Sequence, residues 1–161
     1  MSESAKVQTV ENTAKGYTDE STISEIFFKS NGRLNRLRYF KRTFFLWFLL
    51  KMLLYLGYKV LGYEFGQADF YATFYNTAVT LVFVIPNYCL SVRRLQDMNR
   101  GKTLAVVCAI LSAIMAFLDF TGVNYMFYLL LALVTVRIAI GGYMLIVPGT
   151  YGKNRYGASP I

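Results

Sequence analysis

TFFLWFLLKMLLYLGYKVLG, residues 43–62, decides the fold of this chain: it holds no acid and no proline, and it is about the ~20 residues a helix needs to cross the hydrocarbon of a bilayer. Working outward, comparable runs recur at about 73–92, 103–120 and 125–147, where each window matches the same ~20-residue requirement. Hydrophobic residues make up 55% of the chain and aromatic residues 17%, well above a globular composition. Composition and pattern therefore predict an all-α, polytopic membrane protein with four transmembrane helices.

The remaining segments fit around those spans. Residues 1–22 are rich in Ser, Thr, Glu and Asn and nearly devoid of aliphatic side chains, which predicts a disordered cytoplasmic tail ahead of a membrane domain over 23–160. No short apolar core stands near the start, so no signal-peptide processing is expected. From Ile23 to Arg42, apolar residues (Ile23, Ile26, Phe27, Leu34, Leu37, Phe40) alternate at helical spacing with Lys29, Arg33, Arg36 and Lys41. That pattern predicts an N-terminal interfacial amphipathic helix lying in the headgroup layer, with Asn31-Gly32 separating two short pieces. Pro86-Asn87 is expected to bend the second span, and the link at 121–124 is short enough to make a helical hairpin.

Orientation follows from the cations. The chain carries 17 Lys and Arg against 9 Asp and Glu, a net charge of +8, and near the membrane these cluster before the first span, between the second and third, and after the fourth. The two other links hold no Lys or Arg. Cytoplasmic loops carry the cationic excess, so both termini and the middle loop are placed in the cytoplasm of a multi-pass protein. Basic residues at the edges of apolar runs point to anionic lipid rather than nucleic acid.

Several chemistries are disfavoured. There is no histidine, which removes the commonest metal ligand and general base. Cys89 and Cys108 both fall within apolar segments and are expected as buried, reduced thiols. No paired carboxylates, activated nucleophile or metal-ligand cluster stands in any span, so a non-enzymatic protein without cofactor is expected. Gly101-Lys102-Thr103 lacks the glycine and the preceding strand of a phosphate-binding loop.

Three stretches carry a recognisable pattern: Gly32-Arg33-Leu34-Asn35-Arg36 with Tyr39-Phe40 after it; Arg93-Arg94-Leu95-Gln96-Asp97; and Pro148-Gly149-Thr150-Tyr151-Gly152-Lys153-Asn154-Arg155-Tyr156-Gly157. In this order and spacing the chain resembles the domain of unknown function 805 family from about Phe27 to Pro160. The resemblance implies a small bacterial inner-membrane (plasma-membrane) protein of unestablished role. The family usually has histidine where Gln96 stands, and Ser-Gly-Trp where this chain continues Arg100-Gly101-Lys102-Thr103, so any proton chemistry through that histidine is lost here.

All three motifs are predicted on the cytoplasmic face, where they could converge. Arg33, Arg36, Arg93, Arg94, Asp97, Asn154 and Arg155 are the candidate contacts of an anion or lipid headgroup, with tail glycines offering backbone N–H groups. The plainer alternative is that the cations set orientation while Asp97 pairs with Arg93 or Arg94 to hold the loop. Lys51 and Arg137 stand within spans and form a candidate intramembrane polar site, although solitary cations also snorkel. Ala105, Ala109, Ala113 and Ala116, with Ser112, make a small-residue row that predicts the third span at the bundle centre. The function expected first is a membrane component binding anionic lipid or a partner protein, itself included; the alternative is a small oligomeric transporter or channel for an anionic solute.

Overall fold

The computed structural model describes residues 20, 22–61, 70–121 and 127–157. Among these the regular structure is entirely helical: α1 (Ile23–Phe27), α2 (Arg36–Leu61), α3 (Phe70–Asp97), α4 (Thr103–Thr121) and α5 (Phe127–Ile146). Three helices are long and apolar enough to cross a membrane, over Arg36–Val60, Phe70–Asp97 and Tyr128–Ile146, and a shorter apolar helix covers Thr103–Leu118. Residues 1–19 and 21 of the tail expected over 1–22, and most of both links without cations, lie outside the described residues.

Local chemistry explains the boundaries. Thr22 caps α1 through a reciprocal box, its hydroxyl accepting from Glu25 N and its own N–H donating to the Glu25 carboxylate, both at 3.3 Å. Gly32 then turns the chain at φ 100°, a left-handed conformation that favours glycine. Asn35 precedes α2 and accepts Arg38 N at 2.9 Å, as an N-cap side chain does. Only Ile23–Phe27 stands as a separate short helix; the second piece expected before the first span is the opening of α2 itself. The reason is that no breaker separates Arg36 from Thr43, so a helix started at Asn35 propagates directly into the apolar run. α3 likewise runs through Pro86 as one helix, and the Asn87 amide donates to Phe83 O at 2.8 Å one turn back.

The helix that touches all others is α3, with its most extensive contact on α4. This corrects the expectation that the alanine-bearing span occupies the centre. Its small residues Ala105, Cys108 and Ala116 are buried, and Thr77 of α3 donates to Ala116 O at 3.3 Å. Small side chains let two backbones approach, but they line one side only: Val106, Ile110 and Phe117 of α4 are exposed. On α2, Phe44, Trp47, Phe48 and Tyr55 are exposed as well. Such aromatic and aliphatic surface is suited to hydrocarbon and far exceeds what a water-soluble monomer shows, which makes the chain a membrane-embedded, multi-pass protein. The buried core gathers instead where α3 ends, around Leu34, Tyr39, Leu90, Leu95 and Met144.

Candidate functional site

At that end of α3 the three motifs meet around one carboxylate. Asp97 closes α3, and its Oδ1 accepts Arg33 Nε at 3.0 Å while its Oδ2 accepts Arg94 Nη1 at 2.6 Å. Asp97 is 3% exposed, Arg33 5% and Arg94 0%, so the cluster is almost wholly buried. Burial opposes each charge, and only close pairing with further hydrogen bonds makes such a cluster tolerable.

Both arginines spend their other donors on backbone. Arg94 donates from Nε to Met144 O at 2.7 Å and from Nη2 to Val147 O at 2.5 Å. Met144 lies in the last turn of α5 and Val147 directly follows it, at a helix end where oxygens lack intrahelical partners and a cation is favoured by the helix dipole. Arg33 crosses to the tail, donating to Gly152 O at 2.5 Å, Gly157 O at 3.3 Å and Thr150 O. The motif after α5 is thus drawn over the α3 end: Thr150 donates from N and Oγ1 to Asp97 O at 2.9 and 3.0 Å, and Asn154 Nδ2 donates to Gln96 O at 2.9 Å. A Cβ at Gly149 would overlap the Asp97 carboxylate, so that close approach requires glycine. Arg155 donates to Asn99 O at 3.2 Å and lies over the Tyr156 ring, 4.7 Å from its centroid.

Arg93 is held apart from Asp97. Its Nη1 donates to Glu25 O at 3.4 Å and its Nη2 pairs with Glu20, which also accepts Arg42 Nη2 at 2.5 Å. The Arg93 Nε and the Gln96 Oε1 are buried without a partner among the described residues. Arg36, the first residue of α2, is exposed and makes no hydrogen bond or ion pair among the described residues. It rims an open pocket of about 160 Å³ whose lining includes Asn35, Arg94, Asp97, Gly149, Thr150 and Tyr151.

Lys51 and Arg137 lie in different settings. Lys51 is exposed on α2. Arg137 lines a small pocket between α3, α4 and α5, together with Asn87, Tyr88, Ser91, Cys108 and Ser112. Lys51 is not among the residues that line it.

The structure therefore brings together Arg33, Arg94, Asp97 and Asn154 directly, sets Arg36 beside them and routes Arg93 and Arg155 to neighbouring partners. Thr150, Gly149 and Glu20 take part without having been singled out as site residues. The first two stood inside a quoted motif, whereas Glu20 offered no signal, being one acid in a polar segment. A family model described as "Protein of unknown function (DUF805)" matches residues 27–158. No curated protein and no solved structure matches the chain.

Proposed function

The chain belongs to the DUF805 family of proteins of unknown function, and from that premise we propose that it is a non-enzymatic component of the bacterial inner membrane whose cytoplasmic face binds the headgroups of anionic lipids. In this reading four helices span the membrane, α4 being the shortest, and both termini are cytoplasmic, as the distribution of Lys and Arg requires. The observation that carries the proposal is the pocket of about 160 Å³ rimmed by Arg36. Arg94 has its donors committed to Asp97 and to backbone, so Arg94 and Asp97 form the floor, while Arg33 braces Asp97 without lining the pocket. Arg36 is the exposed cation left to meet a phosphate, and it stands at the start of α2, where unpaired backbone N–H groups and the helix dipole favour an anion.

Native mass spectrometry of the protein released from membranes tests this reading. Retained phosphatidylglycerol or cardiolipin that falls several-fold in Arg36→Gln supports it. Equal retention in wild type and variant sinks it, and co-release of a stoichiometric protein would move the site to a protein partner.

A second reading, a small oligomeric transporter or channel for an anionic solute, draws on Arg137 facing an inner pocket. Solute flux in liposomes that disappears in Arg137→Met would favour it. Lys51, exposed on α2, takes no part in that pocket.

A further inference from the structure

Arg42 of α2 and Arg93 of α3 share one carboxylate, and it comes from outside every helix. Glu20 Oε2 accepts Arg42 Nη2 at 2.5 Å and Glu20 Oε1 accepts Arg93 Nη2, so each oxygen goes to a different arginine. Among the described residues no other carboxylate pairs with either arginine, which leaves the cluster one positive charge in excess. Arg93 is 3% exposed, and its Nε is buried without a partner. Nε and Nη2 form one edge of a guanidinium, the fork from which a bidentate anion accepts two parallel N–H bonds. Half of that buried fork is used and half is idle, and the idle half faces the same side as Glu20, which has no third oxygen to give it.

The idle donor narrows the chemistry of a better occupant. A phosphate group bridges two guanidinium groups as the carboxylate does and brings a further acceptor oxygen for the Nε. Depth agrees: Arg42 stands about 9 Å beyond Arg36 along α2 and directly precedes the apolar run at 43–62. That is the level at which lipid headgroups border hydrocarbon.

The present occupant is lightly held. The Glu20 side chain is 19% exposed, and α1, which it precedes, contains no buried residue. The same two arginines hold that helix, Arg42 Nη1 donating to Ile26 O at 3.3 Å and Arg93 Nη1 to Glu25 O at 3.4 Å. Both bonds are longer than the usual range. Phe27 adds an apolar tie by stacking on Phe45, with ring centroids 5.8 Å apart.

We propose that Arg42 and Arg93 form a phosphate site, distinct from the pocket at Arg36, which Glu20 fills as an internal competitor, and that a phosphate entering it releases α1. Carboxylate and phosphate exclude each other there because both need the Nη2 donors of the two arginines.

The test uses the full chain carrying Arg36→Gln, which removes the other anion pocket, in phosphate-free dodecyl maltoside. It is titrated at constant ionic strength with inorganic phosphate in one arm and dihexanoyl phosphatidylglycerol in the other, with chloride as the control. Saturable binding by calorimetry, together with faster amide exchange over residues 23–27, is expected in at least one arm; which arm it is tells a free phosphate from a lipid headgroup. Glu20→Gln, lacking the competing charge, is expected to bind about tenfold more tightly, the scale of one charge-assisted hydrogen bond. Arg42→Gln is expected to lose the binding. Should either added substitution prevent folding, amide exchange in the parent protein decides: a rise over 23–27 beyond that in chloride supports the site. Affinity unchanged by Glu20→Gln or by Arg42→Gln, or exchange over 23–27 no faster than in chloride, means that Glu20 is a structural counter-ion only and overturns the proposal.

Discussion

Arg94 and Arg137 are both arginines turned into the same bundle, and their surroundings could hardly differ more. Arg94 is 0% exposed and gives hydrogen bonds to Asp97, Met144 O and Val147 O. Arg137 is partly exposed and has no such partner among the described residues. The end of α3 where the motifs meet is a finished structure in which buried charge is matched by charge and carbonyl. The middle of the bundle holds a charge that the described chain does not match. Satisfied buried arginines hold a fold together, while unmatched ones are where an outside group has something to bind.

That contrast can be broken most severely at Asp97. Asp97→Ala leaves two buried guanidinium groups facing each other, and breaking such a cluster costs about 3–5 kcal/mol; thermal or denaturant unfolding in detergent should show a collapse in stability or yield. Unfolding that matches the wild type would show that Arg33 and Arg94 need no counter-charge. Next comes Gly149→Ala, whose added methyl collides with the Asp97 carboxylate. A loss of about 1–3 kcal/mol is expected, as for overpacking, and a neutral result would mean that the segment after α5 can lift away from α3.

A smaller effect is expected at Glu20, which bridges Arg42 and Arg93. Glu20→Gln should cost about 1–3 kcal/mol, because Arg93 is buried and loses its ionic partner. Amide exchange in α1 should rise in parallel, since Arg93 also holds Glu25 O. The smallest effect on stability belongs to Arg36→Gln, within about 0.5 kcal/mol as for an exposed side chain outside any network. Its consequence is expected in retained anionic lipid instead, which separates the open rim of the site from its closed floor.

Much of the fold was legible before any coordinates. The apolar run at 73–92 lies within α3 and the run at 43–62 falls on α2 as far as Leu61, and the membrane character of the chain follows from their length. The helices reach further than the apolar runs: α2 begins at Arg36 and α3 continues to Asp97, since arginine and lysine are good helix formers and an apolar window does not register them. The centre of the bundle was misplaced because a small-residue row reports close approach on one side of a helix, not how many neighbours that helix has. The convergence of the three motifs is legible from topology, since helices of even count return the chain to one side. Which cation meets Asp97 was not, as spacing allowed Arg93 or Arg94 and gave no hint of Arg33 across 64 positions.

Sequence alone determined that this chain is helical, apolar over membrane-spanning lengths, and cationic at one set of ends, because hydrophobicity and charge add up residue by residue along a helix. Only the tertiary structure decided that Asp97 joins Arg33 to Arg94 while Arg93 turns to Glu20, and that Arg137 lines an inner pocket while Lys51 stays outside. Those outcomes depend on how each helix is rotated against α3 and on which side chains then come within hydrogen-bond reach, a short-range and directional condition that no count along the chain contains.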